Sequence, residues 1–284
     1  MFIILHNPLS KNRKSKRVTK KLVDRFKKEN IPFRVKSLLK IKDLKDYLTK
    51  THKKTTILLL GGDGTINAFI NNTMNLSITQ DIFLKRSGSG NDFLRSLKKQ
   101  KPDIQYIMQL KHNEEITYFI NGAGMGIDGM ISHFVNKSKH KNRFNYFINT
   151  FKAFFLYKPK YLEVTIDNTL YRFKKAWLIN VNNGTYIGGG MKLTPKAKLD
   201  EKKLDVIVVH RVPRLILFFI FLSVYFGLHT YLKPFVFYKK AEKVHATMFS
   251  PQTAQCDGEC FENTQEITVE VTNHLSRFKP YTKK

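Results

Sequence analysis

The chain has 284 residues, 42% hydrophobic and 13% aromatic, enough to bury one large or two ordinary cores and too apolar for a disordered polycation. Fifty Lys and Arg against 22 Asp and Glu leave a net charge of +28, a field that draws polyanions and says nothing of fold. Two cysteines exclude a disulfide scaffold and fit a reducing compartment, and the opening Met1-Phe-Ile-Ile-Leu-His-Asn-Pro8 lacks the pattern of a signal peptide.

In chain order, residues 2–5 form a short apolar strand that ends at Asn7-Pro8. A helix crowded with Lys and Arg follows over 10–28, with Val18, Leu22, Val23 and Phe26 on one face. Residues 33–39 read as a second strand and 44–48 as part of a second helix. A continuous buried strand over 55–60 is broken by Gly61-Gly62-Asp63-Gly64, and helical spacing resumes over 65–74. Another strand, 81–85, stops at Ser87-Gly88-Ser89-Gly90. Strand and helix alternating through short glycine turns predict a doubly wound α/β domain over 1–120.

The texture then changes. Residues 161–166, 170–173, 176–181, 204–209, 244–248 and 267–271 read as strands, with helices expected only at 144–157 and in an apolar segment at 215–228. This predicts a mainly antiparallel β-sandwich over 121–273, followed by a tail, 274–284, able to return to the first domain. The apolar segment LILFFIFLSVYFGL has 14 residues between Arg214 and His229, whereas a spanning helix needs about 20. It is either a core helix or one that lies in a membrane interface. Basic clusters at 10–28, 98–101, 137–143 and 239–243 either solvate the surface or attract an anionic bilayer. No zinc-finger, RNP or basic-zipper pattern appears, so nucleic acid is not the expected partner.

Three motifs carry chemistry. In Leu58-Leu-Leu-Gly-Gly-Asp-Gly-Thr-Ile-Asn67 a strand runs through three glycines and an acid into a helix. Glycines let backbone N–H groups face an anion, and the helix start adds positive potential. Asp63 would repel bare phosphate, so the loop suits a metal-bound nucleoside triphosphate; the alternative is a turn with an Asp cap. Ser87-Gly-Ser-Gly-Asn-Asp92 repeats the arrangement after the next strand, at the sheet edge where open α/β folds bind ligands. Near the end, Gln255-Cys-Asp-Gly-Glu259 supplies acids of the kind that accept a hydroxyl proton and place Mg²⁺ in phosphoryl transfer, or else forms an exposed acidic turn. Cys256 and Cys260 without clustered partners make a poor zinc site. No Walker A sequence or protein-kinase motif set is present.

Together these residues resemble the diacylglycerol kinase catalytic family, in its small bacterial lipid-kinase branch. The matching segments are Asn7-Pro8, GGDGT at 61–65 with Asn67, GSGND at 88–92, FINGAGMGID at 119–128, GGGMKLTPKA at 188–197, 199–209 and Asp257-Gly-Glu259. The resemblance implies an ATP-dependent lipid kinase. Asn7, Pro8, Ser10, Gly61, Gly62, Asp63, Gly64, Thr65, Asn67, Ser89 and Asp92 would line the nucleotide. Asp63, Asp92 and Asp257 would organise Mg²⁺ and its waters, Glu259 would be the general base, and Asp128 would support them.

The family's second, structural Mg²⁺ would fall to the carboxylate of Glu201 and the carbonyls of Lys198 and Lys203. Glu201 stands where the family has Asp and Lys202 where it has Gly, a longer acid on a stiffer turn. Asn7-Pro-Leu-Ser-Lys11 also lacks the usual glycine after Ser10. The family reading further implies a lipid acceptor, a cytoplasmic protein held peripherally at the inner face of the membrane, and compatibility with a homodimer. Diacylglycerol is the leading acceptor, with phosphatidylglycerol, a sphingoid base or a polyprenol also open. Two rivals remain: an NAD kinase, which shares GGDG, and a catalytically silent module binding anionic lipid or nucleic acid.

Overall fold

The computed structural model describes residues 1–10, 15–74, 76–88, 90–138 and 143–282, with 143–146 by backbone alone. The chain forms two compact units, 1–105 with 274–284, and 106–273. The sequence division near 120 lies 15 residues beyond the point where the first unit's N-terminal segment ends.

The first unit contains β1 (Phe2–His6), α1 (Ser15–Lys28), β2 (Phe33–Ser37), α2 (Leu44–Thr49), β3 (Thr56–Gly61), α3 (Asp63–Thr73), β4 (Ile82–Arg86) and α4 (Asp92–Gln100). The second unit's elements are β5 (Gln105–His112), β6 (Glu115–Phe119), β7 (Gly122–Gly126), α5 (Ile127–Lys137), α6 (Arg143–Leu156), β8 (Lys160–Ile166), β9 (Thr169–Asn182), β10 (Leu204–His210), α7 (Arg214–Val224), β11 (Val236–Ala241), β12 (Lys243–Cys256) and β13 (Glu259–Ser276). β5 begins and β13 ends at the unit boundary, and the chain returns to the first unit as β14 (Phe278–Pro280).

The first unit is built on a parallel sheet in the order β14-β4-β3-β1-β2. Its central strand β3 buries nearly every side chain, as a parallel strand covered on both faces must. α1 turns Leu22 and Phe26 inward, where Phe26 packs edge-on against Phe2 and Phe33. Its Lys and Arg occupy the remaining faces, and Lys11, Arg13 and Lys14 of the basic run lie outside the described residues. β14 places Phe278 edge-on between Phe69 of α3 and Phe93 of α4.

The second unit is an antiparallel ladder of nine strands. β9 and β12 are each 14 residues long and flank β7 over one part of their length and β8 over the other. Inward residues of β8, β9, β10, β12 and β13 enclose one core, including Leu162, Val164, Ile179, Val206, Ala246 and Val269. A second core forms where α5, α6 and α7 cover Trp177, Ile207 and Val209; the Trp177 indole N–H donates to the Val212 carbonyl at 2.9 Å. The family-like segments 188–190 adopt left-handed glycine conformations, with φ of 61, 86 and 120°.

Candidate active site

In the first unit, β1, β3 and β4 are neighbouring parallel strands, so the segments that follow them gather at one sheet edge. After β1 the chain turns at Asn7–Ser10, where the Asn7 side-chain oxygen accepts from Leu9 N at 3.0 Å and Pro8 is half-buried. The Ser10 hydroxyl meets the Thr65 hydroxyl at 3.2 Å, tying this turn to the one after β3. α3 begins at Asp63 with Gly62 as its cap, two residues before the predicted start, because the acid tolerates the positive first turn.

Two glycines make the close approach possible. A Cβ on Gly62 would lie 2.5 Å from the Gly90 carbonyl oxygen, and one on Gly88 would lie 2.5 Å from Gly62 Cα. The loops after β3 and β4 are therefore in backbone contact. Asp63 fastens them: its carboxylate accepts from Asp92 N at 2.8 Å and Phe93 N at 3.2 Å, while its own N–H donates to the Gly90 carbonyl at 3.2 Å. The acid on one helix thus caps the start of the next. Asp92 is buried and paired with Arg95 at 2.7 Å. Buried Asn67 accepts from Asn71 at 3.1 Å, and Gly64 has open space around its Cα. Ser89 lies outside the described residues. Along the β2 side of the sheet runs a groove of about 1110 Å³, from Pro8 and Ser37 at this edge to Met1 and Thr55 at the other.

In the second unit, Asp257 and Gly258 form the two-residue turn joining β12 to β13, with φ of 48 and 91°, the left-handed pair that an Asp-Gly hairpin adopts. The Asp257 carboxylate accepts from three main-chain amides, Ile120 N (2.9 Å), Asn121 N (2.9 Å) and Gly122 N (3.1 Å). It fastens the hairpin to the junction of β6 and β7. Glu259, two residues on, is exposed, and among the described residues its carboxylate accepts no hydrogen bond and joins no ion pair.

Asp128, Gln255 and neighbouring asparagines complete this region. Asp128, at the start of α5 and partly buried, accepts from Asn180 Nδ2 at 2.5 Å and Gln255 Nε2 at 2.7 Å. Burial pushes its carboxyl up to about 6, against the opposing pull of those two amides. Gln255 in turn accepts from Gly258 N at 3.0 Å, so Asp128, Gln255 and the Asp-Gly turn form one chain of bonds. Buried Asn180 Oδ1, Asn121 Oδ1 and both side-chain polar atoms of Asn182 have no hydrogen-bond partner among the described residues. Orphaned polar atoms beside a sheet of glycines suit bound water or a polar ligand. β7 itself, Gly122-Ala-Gly-Met-Gly126, lies close against β9 because Gly124 has no Cβ, which would come within 2.5 Å of the Ile179 carbonyl oxygen.

The residues present differ in how they fit Mg²⁺. Among the described residues no three His, Cys, Asp or Glu gather as a ligand set. A nucleotide-borne Mg²⁺ needs no such cage, since one or two carboxylates and phosphate oxygens suffice, and Asp63 and Asp92 supply two carboxylates at this edge. The structural ion expected at Lys198, Glu201 and Lys203 does not fit. The Lys240 ammonium is bonded to the Glu201 carboxylate and lies 3.9 Å from Asp205, the Lys203 ammonium is bonded to Glu242, and the Lys198 carbonyl accepts Glu201 N at 3.3 Å. A lysine supplies the positive charge in that loop. Burial raises the Asp205 carboxyl despite its bond from Tyr238.

Residues 1–119 match the model of the diacylglycerol kinase catalytic domain, and residues 122–274 match the YegS C-terminal NAD kinase beta sandwich-like domain. The chain is 25% identical to a diacylglycerol kinase of Staphylococcus saprophyticus over 98% of its own length and 94% of that protein. It is 26% identical to a diacylglycerol kinase of Staphylococcus aureus over 81% of its length and 76% of that protein. A crystal structure of a diacylglycerol kinase from Bacillus anthracis superposes with a TM-score of 0.61 at 19% identity, covering 95% of this chain and 93% of that one, a likeness of fold.

Proposed function

Since the chain belongs to the diacylglycerol kinase family and carries its YegS-type C-terminal domain, we propose that it transfers the γ-phosphoryl group of ATP to a membrane-lipid hydroxyl. Diacylglycerol is the favoured acceptor and phosphatidic acid the product, the reaction that names its relatives. The observation that carries this reading is the backbone contact of Gly62 with the Gly88–Gly90 loop, clamped by Asp63 across the starts of α3 and α4. Two helix N-termini opening at one sheet edge, from glycine loops in backbone contact, suit a polyphosphate.

Each residue has a defined part. The amides of residues 62–65, the Ser10 and Thr65 hydroxyls and the Asn7 turn hold phosphate oxygens, and the flanking groove offers room for the nucleoside. Ser89 is assigned to the same nucleotide loop from its place in the sequence. Asp63 and Asp92 hold Mg²⁺ directly or through water, and the ion, when bound, neutralises charge on the triphosphate. Glu259, exposed and uncommitted, accepts the proton of the acceptor hydroxyl. Asp257 positions the turn that carries Glu259, because three main-chain amides occupy its carboxylate. The protein works at the inner face of the membrane as a peripheral, cytoplasmic enzyme. The test is incubation with labelled ATP and a total lipid extract: label in phosphatidic acid supports the reading, and label only on added NAD overturns it.

A further inference from the structure

The sequence leaves the 215–228 segment either in the core or in a membrane interface, and the structure divides it between the two. α7 buries Leu217, Ile220, Phe221 and Val224 against the second core. Its other stripe, Leu215, Phe219 and Leu222, recurs at i, i+4 and i+7 and faces out, with Leu215 75% and Phe219 61% exposed, and Phe226 in the turn that follows is 71% exposed. Tyr231 extends this surface at 74% exposure. α6 packs on α7 through Phe151–Phe218 at 5.3 Å and Phe154–Phe221 at 5.5 Å, and likewise leaves Ile148, Phe155 and Leu156 exposed.

The sequence flanking this face is basic. Residues 129–162 contain seven Lys and Arg and no acid, and residues 206–241 contain five and no acid. Lys152, Lys158 and Lys233 are exposed on or next to the apolar elements. α7 has 11 residues, about 16 Å of helix, and among the described residues no helix is long and apolar enough to cross a membrane.

We propose that the outer faces of α6 and α7, with the turn at 225–232, dock the protein on an anionic bilayer. The apolar stripe enters the acyl boundary and the lysines meet lipid headgroups. The aromatic side chains and acid-free flanks match an anionic interface, while a second copy of this chain would bring the same unbalanced positive charge against itself. The choice of a bilayer also rests on the proposed lipid acceptor.

The test is flotation of the full-length protein with phosphatidylglycerol-rich vesicles and with phosphatidylcholine vesicles, at low and high salt. The wild type floats with the anionic vesicles and less so with the neutral ones, and high salt weakens binding. The double variant Phe219→Ser, Phe226→Ser partitions at least about ten-fold less, since it removes two inserted rings. The triple variant Lys152→Glu, Lys158→Glu, Lys233→Glu loses the preference for anionic vesicles, so the proposal does not depend on one substitution. The Ser variant's turnover on a short-chain acceptor dissolved below its aggregation threshold stays at the wild-type rate. No flotation of the wild type overturns the proposal, as does unchanged flotation of both variants. A wild-type dimer that the Ser variant splits, without loss of flotation, overturns it in favour of a second copy. Flotation without lipid phosphorylation leaves the docking face standing and removes the kinase reading; phosphorylation of the dissolved acceptor without flotation does the reverse.

Discussion

The turn after β3 and the turn between β12 and β13 both set an acid beside glycine, and both acids bind main-chain amides of a distant segment. Asp63 sits in the first turn of a helix and caps a second helix 29 residues on, so its bonds hold two glycine loops together. Asp257 sits in the left-handed region of a hairpin and gathers three amides from a strand junction, so its bonds fix the turn that leads into Glu259. In the proposed mechanism Asp63 combines staple and chemistry in one carboxylate, whereas the hairpin divides them between Asp257 and Glu259.

That division is open to attack by mutation. The largest effect falls on Glu259→Gln, which lowers kcat by roughly 10²–10⁴-fold, the usual worth of a general base, while thermal unfolding stays unchanged because the side chain is exposed. Steady-state assays beside melting curves check both halves. Asp257→Ala orphans three amides and costs about 3 kcal/mol in urea unfolding, with Asp257→Asn recovering part of the loss. Asp63→Ala loses about 2 kcal/mol as well as activity; Asp63→Asn, which keeps an acceptor for the α4 amides, restores most of the stability and none of the turnover.

Asp128 sharpens the comparison through pH. Its carboxyl is raised to about 6 by burial, above the 3.8 of an unhindered aspartate, so the folded state holds the extra proton between those values. Its contribution to stability is therefore fully present below about pH 4 and is lost as pH rises through about 6. Asp128→Asn, which can still accept from Asn180 and Gln255, gains roughly 1–2 kcal/mol relative to the wild type above pH 6 and little at pH 4. Chemical denaturation across that range measures it. The smallest expected effect is that of a chelator. With Lys240 bonded to Glu201, EDTA without nucleotide leaves the melting temperature unchanged, and a marked fall would show that an ion is held at that loop.

The first unit was legible because its chemistry is contiguous: β3, its glycines, Asp63 and α3 follow one another, and the hydrophobic run of β3 announces a buried strand. β7 was not legible, since Gly122-Ala-Gly-Met-Gly126 has no side-chain alternation and is a strand only by pressing against β9. α5 was hidden by Gly129, whose missing Cβ lets the helix rest on the Thr253 carbonyl. β9 and β12 read as fragments because Lys174-Lys175 and Pro251 interrupt their apolar pattern, and bulges absorb the interruption in β12. The family resemblance implies Mg²⁺ at Asp257, whose main-chain partners lie about 136 residues away, and no local pattern encodes them. Lys240 is similarly remote from Glu201, so the loop's own cation could not be read from the 197–205 segment.

The central claim is that one chain uses the Asp63-clamped loops to hold ATP and the Glu259 hairpin to activate a lipid hydroxyl. Its most direct test is labelled-phosphate transfer to diacylglycerol in mixed micelles by the wild type, Asp63→Asn and Glu259→Gln, with folding verified for each. The account predicts phosphatidic acid from the wild type alone, and equal product from all three would contradict it.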